Sequence, residues 1–401
     1  MTRSLLRAGG ALAVVLVPAA RLAAQTPAAQ TPAAQTPAAP SATPAAAPRQ
    51  AVVDARYTGR DGALVAGVPI YRTIGAALAA VPGENPSRFV IHVRDGRYHE
   101  KLTVTRPLVT LLGQSRDGTV LTFDAAAGMR DSTGTPYGTR GSFTLRVAAP
   151  DFRAERLTIE NAFDFPANAA KPDGDPTKLR ETQGVAVMTY EGSDRAAFVN
   201  VRMVGYQDTF FPNVGRHYLE DCEISGHVDF IFGAGQAVFE DCDIVSRDRG
   251  DPTSNGYVVA PSTEVTQPYG FLFVRSRLRK EAAAMARGSV ALGRPWHPSA
   301  RVTAVGSAVF VDCWMDDHIS ARGWDRMSSV DSISGVRYWF EPEAARFFER
   351  GSRGPGAIAS PTRRVLGDGD ARTYTVARVL GGWLPEPSAA VPPPTAASRS
   401  R

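Results

Sequence analysis

Cysteine is scarce: three in 401 residues, which excludes a disulfide-dense scaffold. No long hydrophobic run is present either. The best stretch, residues 11–20, is too short to cross a bilayer. Net charge is missing where it would matter. The chain carries +5, but residues 1–50 hold four arginines and no acid and residues 386–401 add one more positive charge, so residues 51–385 sum to zero. That balance gives no basic surface for nucleic acid. Long amphipathic helices are absent as well. The one helical spacing lies over residues 70–80, where Ile74, Ala77, Leu78 and Val81 recur before Pro82-Gly83.

What is present divides the chain. Arg3 and Arg7, an apolar run and small residues near Ala23-Ala24 have the layout of a secretory signal peptide over residues 1–24, with an uncleaved anchor as the alternative. Residues 25–50 repeat Gln25-Thr26-Pro27-Ala28-Ala29 almost verbatim and read as a semi-extended linker. Residues 51–385 form one folded domain, and residues 386–401 a disordered tail. The expected protein is secreted or periplasmic, free of the membrane after cleavage, and monomeric.

Inside the domain, short β-rich runs alternate with Gly, Asn and Asp. Examples are Phe89-Val90-Ile91-His92-Val93, Val109-Thr110-Leu111-Leu112 and Val120-Leu121-Thr122-Phe123, and they predict an all-β protein. A repeat defines which one. Asn200-Val201-Arg202-Met203, Asp221-Cys222-Glu223-Ile224, Asp241-Cys242-Asp243-Ile244 and Asp312-Cys313-Trp314-Met315 share the template Asn/Asp, apolar, any residue, apolar. Arg275-Ser276-Arg277-Leu278 fills the long last interval, and Arg156-Leu157-Thr158-Ile159 is an earlier member. A period near twenty with alternating apolar residues fits one short strand per coil, stacked on its neighbours. The predicted fold is a right-handed parallel β-helix. Cys222, Cys242 and Cys313 then fill the inward slot held elsewhere by Val201 and Ser276. Stacking would bring Cys222 and Cys242 within disulfide reach, so a bridge between them stays open at this stage.

The same period relates two carboxylates. Gly205-Tyr206-Gln207-Asp208 and Gly226-His227-Val228-Asp229 are one coil apart, so Asp208 and Asp229 should stack on one face. Two carboxylates at that spacing repel, and one should keep its proton. A protonated acid beside an ionised one is suited to general-acid and nucleophilic work. His227, two residues before Asp229, reads as structural rather than as a base.

These residues are also familiar. Gln207-Asp208-Thr209, Asp229-Phe230-Ile231-Phe232-Gly233 and Leu292-Gly293-Arg294-Pro295-Trp296, preceded by Gln183-Gly184-Val185-Ala186-Val187, resemble the signature motifs of the pectin methylesterases in family order. Asp95-Gly96-Arg97-Tyr98-His99-Glu100 also matches, and Gly323-Trp324-Asp325-Arg326-Met327-Ser328 is similar to the bacterial branch. The resemblance covers residues 52–383. It implies a β-helical esterase acting on methyl-esterified homogalacturonan, with no metal and no organic cofactor. It further implies Asp229 as nucleophile, Arg294 as its partner, Asp208 as acid and then base, and Gln183 and Gln207 as donors to an oxyanion. Trp296, Phe232, Phe211 and Trp324 would line the sugar groove.

Two departures stand out. Phe211 replaces a tyrosine common among relatives, and Gly184 replaces a frequent alanine. The stretch Tyr137-Gly138-Thr139-Arg140-Gly141-Ser142 is a candidate groove wall. A polygalacturonan-cleaving hydrolase or lyase on the same architecture is the competing reading, and an inactive carbohydrate-binding β-helix is another. The arginine and paired glutamines favour acyl chemistry, because an oxyanion needs donors and an oxocarbenium ion does not.

Overall fold

The computed structural model describes residues 49–386. The expected signal peptide, nearly all of the linker and the tail beyond Glu386 lie outside the described residues. Arg49 and Gln50, the last two residues of the expected linker, pair with Phe89 and Val90 in the first described strand. At the other end the Glu386 carbonyl accepts a hydrogen bond from Arg153 at 2.8 Å. Among the described residues no helix is long and apolar enough to cross a membrane.

The chain forms a parallel β-helix, as the repeat predicts. Eighteen strands make one array, and seven parallel strands make a second sheet. The repeat members pair in the register that the template implies. Ile159 lies beside Met203, Met203 beside Ile224, Ile224 beside Ile244, Ile244 beside Leu278, and Leu278 beside Met315.

The first template position has its own physical cause. Arg156, Asn200, Asp221, Asp241, Arg275 and Asp312 all have φ between 50° and 54°. Each coil turns through the left-handed region there, which Asn and Asp tolerate better than other L residues. Asp241 also receives both ends of the Arg275 guanidinium, at 3.0 and 2.8 Å, so the turns are tied between coils.

The second position points inward. Leu157, Val201, Cys222, Cys242, Ser276 and Cys313 are all buried, and the three cysteines are free thiols. Phe239, Phe273 and Phe310 stack face to face through successive coils at 4.3 and 4.4 Å. Such stacking makes one continuous core, because no coil can bury its apolar face alone.

The helix predicted over residues 70–80 is shorter, Ile74–Ala79. Ile70 belongs instead to the strand Val68–Tyr71. Thr73 caps the helix by accepting from the Ala76 amide at 3.1 Å, and the Glu100 carboxylate accepts from the amides of Ile74 and Gly75 at 2.9 and 2.8 Å. Glu100 thus closes the N-terminal end of the helix, where free amide groups need acceptors.

Candidate active site

The seven-stranded sheet carries the chemistry. Val187, Phe210, Ile231, Val259 and Gly293 stand side by side on five adjacent strands. Counting outward from that row, Asp208 precedes Phe210 by two residues, Asp229 precedes Ile231 by two, and Arg294 follows Gly293. Gln183 enters just ahead of the strand Val187–Thr189. Gly293 lets the strand press on its neighbour, since a Cβ there would fall 2.4 Å from the Val259 carbonyl oxygen. The site therefore sits at the ends of paired strands, with Asp229 within the strand Val228–Gly233 and Asp208 and Arg294 in the segments directly flanking theirs.

Both aspartates have left-handed backbone, φ 65° at Asp208 and 50° at Asp229. The pairing register also shifts between Val228 and Ile231. A bulge of this kind re-aims a side chain, and here it falls on Asp229. The Asp208 amide donates to the Val228 carbonyl at 3.2 Å, and the Gly184 amide donates to that of Gln207 at 3.0 Å. These bonds tie three successive turns together.

Arg294 grips Asp229 with both ends of its guanidinium, Nε to Oδ1 at 2.8 Å and Nη2 to Oδ2 at 2.6 Å. Its other face lies over the Tyr257 ring, 3.9 Å from the centroid. Burial acts to lower the Arg294 pKa, but the charge and hydrogen bonds of Asp229 outweigh it, and the net shift is upward. Asp208 is driven the opposite way from an ordinary carboxylate. Burial and then the neighbouring Asp229 charge raise its pKa well above the usual range, and Arg294 offsets them only in part. One carboxyl is thus gripped by a fork of donors, and the other is biased toward its protonated form.

The aspartates and Arg294 line a cleft of about 300 Å³ together with Gln183, Gln207, Phe211, Phe232 and Trp296. Phe211 and Phe232 stack at 4.1 Å, and Trp296 meets Phe232 at 5.7 Å. Gln207 Oε1 accepts from the Thr182 hydroxyl at 3.1 Å, which leaves its Nε2 as the free donor. Gln183 buries its own Oε1 without a partner.

One expected groove residue lies elsewhere. Trp324 is 2% exposed, stacked on Phe347 at 4.2 Å, and its backbone pairs with that of Gly293. It packs inside the coil beneath the strand that delivers Arg294 and does not reach the cleft. Its motif neighbour Met327 does line the cleft; chain adjacency alone could not tell the two sides of the sheet apart.

His227 is structural. Its Nδ1 accepts from the Val228 amide at 2.7 Å, Phe165 packs on its ring at 4.4 Å, and burial, helped by Arg249 and Arg247, lowers its pKa to about 3. Among the described residues no group of three or more His, Cys, Asp or Glu is placed to hold a metal ion.

Sequence reading passed over Thr182, Tyr257 and Ala260, quoted Met327 in a motif without giving it a role, and treated Arg140 and Thr139 only as part of a possible wall. Both of the latter line the cleft. None of these six sits in the repeat, so periodicity carried no signal for them.

The comparisons with known proteins agree with this geometry. The family model described as Pectinesterase matches residues 64–382. Pectinesterase A of Dickeya chrysanthemi is 44% identical over 327 residues, covering 79% of this chain and 88% of that protein. A crystal structure of pectin methylesterase in complex with hexasaccharide VII is 44% identical, with a TM-score of 0.79 over 84% of this chain and 98% of that one. Pectin methylesterase from Yersinia enterocolitica is 48% identical, with a TM-score of 0.75 over 78% and 99% of the two chains. The chain belongs to the pectinesterase family of carboxylic ester hydrolases.

Proposed function

We propose that the cleft hydrolyses methyl esters of pectin through a covalent aspartyl intermediate. The observation that carries this reading is the placement of two unlike carboxyls in one cleft, Asp229 gripped by Arg294 and Asp208 buried beside it. Arg294 grips Asp229 through both oxygens and fixes its aim, and burial beside Asp229 favours the protonated form of Asp208.

The steps follow from those states. An Asp229 oxygen attacks the ester carbonyl carbon, and the negative charge that develops on the carbonyl oxygen meets the amide groups of Gln183 and Gln207. Collapse of that intermediate breaks the bond to the methoxy group, which leaves as methanol with the Asp208 proton. Asp208, now ionised, takes a proton from water as the water attacks the acyl-aspartate, and Asp229 departs as carboxylate. The free galacturonate carboxyl is released and Asp208 is protonated again. No other acid or base is needed.

Trp296, Phe232 and Phe211 suit the apolar faces of sugar rings. The related pectin methylesterase solved with a hexasaccharide supports an oligosaccharide in the corresponding groove of this chain. The substrate is a polymer, so the enzyme acts where the polymer is, outside the cytoplasm. Residues 1–24 serve as the export signal and residues 25–48 as a linker, and the mature protein is a secreted or periplasmic monomer. Edman sequencing of the exported protein should then begin near residue 25, and a retained Met1 would refute export by cleavage.

Methanol release from methylated pectin, measured beside reducing ends and unsaturated product, tests the activity. Methanol alone is expected. New reducing ends without methanol would transfer the site to the glycosidase reading. Asp229→Ala should lose methanol release, and retained turnover would remove Asp229 from its role.

A further inference from the structure

The two aspartates are delivered by equivalent turns, one coil apart. Gly205-Tyr206-Gln207-Asp208 and Gly226-His227-Val228-Asp229 each open on a glycine, and neither glycine has room for a side chain. A Cβ at Gly205 would fall 2.6 Å from Thr209 Oγ1, and one at Gly226 would fall 2.5 Å from the Tyr206 carbonyl oxygen. Both glycine carbonyls share a partner. Arg247 donates to the Gly226 carbonyl through its backbone amide at 2.7 Å and to the Gly205 carbonyl through Nη1 at 3.0 Å. One residue thus holds the carbonyls that start both catalytic turns.

The rest of the guanidinium is committed to the same corner of the coil. Nη2 donates to the Tyr206 hydroxyl at 2.9 Å, and the group lies over the Tyr206 ring, 3.8 Å from the centroid. Nε donates to Glu281 Oε1 at 3.0 Å, and Glu281 Oε2 accepts from the Asp248 amide at 3.0 Å, so the segment carrying the arginine is itself anchored. Phe165 packs on Tyr206 at 5.4 Å and on His227 at 4.4 Å. The Arg247 side chain is only 19% exposed and all three of its nitrogens are engaged, a use of the planar fork that lysine cannot match.

Arg247 and Tyr206 do not line the cleft, but Gln207 and Asp208, the next two residues after Tyr206, do. Asp208 has left-handed backbone, φ 65°, a conformation that persists in an L residue only when its surroundings hold it. The Asp208 amide, bonded to the Val228 carbonyl, holds the end of the turn, and Arg247 holds its beginning. We propose that Arg247 is a positioning residue of the esterase, acting through Gly205 and Tyr206 to set where the Gln207 amide and the Asp208 carboxyl stand. The proposal rests on the esterase reading above.

Steady-state methanol release from methylated pectin tests it, at a temperature where melting curves show each variant folded. Arg247→Met keeps an unbranched stem and removes every side-chain donor, so kcat should fall roughly 10–10²-fold, as small misplacements of reacting groups do. KM should stay nearly unchanged, because the groove itself is untouched. Arg247→Lys, with its charge and one donor, should recover part of kcat. Tyr206→Phe keeps the ring and removes only the hydroxyl contact, so its kcat should fall about threefold, the size of one ordinary hydrogen bond; it carries the test if Arg247→Met does not fold. Wild-type kcat in the folded variants, with only the melting temperature lowered, would overturn the proposal and leave Arg247 a staple between coils. A raised KM at unchanged kcat would overturn it as well, by marking a contact with substrate. No methanol from the wild-type enzyme would instead sink the esterase reading itself.

Discussion

Arg294 meets Asp229 through two parallel hydrogen bonds of 2.8 and 2.6 Å, both carboxylate oxygens engaged by one guanidinium. The pair is largely buried, with side-chain exposure of 20% for the arginine and 9% for the aspartate, and the Tyr257 ring closes the other face of the guanidinium. Lysine cannot reproduce a planar fork or the stacking. Arg294→Lys should therefore keep the charge but lose the aim of the nucleophile, lowering kcat on the order of 10²-fold, as small misplacements of reacting groups do. Thermal unfolding should move little. Near wild-type kcat in this variant would show that charge alone, without orientation, is what Asp229 requires.

Thr182 stands one step behind the oxyanion donors. Its hydroxyl engages Gln207 Oε1 at 3.1 Å and so sets which end of the amide faces the cleft. Thr182→Val keeps the shape and removes the hydroxyl, freeing the amide to turn its oxygen toward a developing negative charge. A drop in kcat of about tenfold is expected, below the 10²–10³ typical for deleting a donor outright, with KM nearly unchanged and with Thr182→Ser close to wild type. Steady-state kinetics on methylated pectin would check it. A raised KM at normal kcat would mean that the threonine only shapes the groove.

The sequence makes part of this visible for a definite reason. Ile224, Ile244, Leu278 and Met315 occupy one register row, and a solenoid writes each row into the chain at every coil. The spacing of Asp208 and Asp229 is legible by the same rule, since Phe210 and Ile231 pair across one coil. What breaks the period is not legible. Ile70 fits a helical spacing but is taken by a strand, because apolar residues at the junction satisfy both patterns. Trp324 lies beside cleft residues along the chain yet faces the interior. Arg140 sits in an excursion between strands, where nothing repeats to place it.

Gly184 illustrates a constraint of that hidden kind. A Cβ there would lie 2.7 Å from Asn161 Oδ1. Asn161 is buried and cannot step aside freely, because its amide nitrogen donates to the carbonyls of Ala125 and Ser142, both at 2.9 Å. The alanine frequent among relatives at this position is thus not a neutral exchange in this chain. Gly184→Ala should destabilise the fold by about 1–3 kcal/mol, the usual cost of overpacking, read as a lower melting temperature. An unchanged melting temperature would show that Asn161 relaxes without losing its bonds.

Asp208 links stability to pH with a sign opposite to that of most carboxylates. Burial beside Asp229 raises its pKa in the folded state, whereas in the unfolded chain it titrates near the ordinary value of about 3.9. Below that value both states hold the proton and the residue is neutral to folding. As pH climbs, the unfolded chain ionises first and is favoured, so stability is lost progressively until the folded-state pKa is passed, after which the loss is constant. Asp208→Asn removes the titrating group. Its melting temperature should match wild type near pH ~3.5 and exceed it increasingly toward pH ~8, while methanol release is lost because the amide can neither protonate the leaving methoxide nor activate water. A melting difference independent of pH would show that Asp208 does not hold its proton in the folded enzyme, and the division of labour between the two aspartates would fail with it.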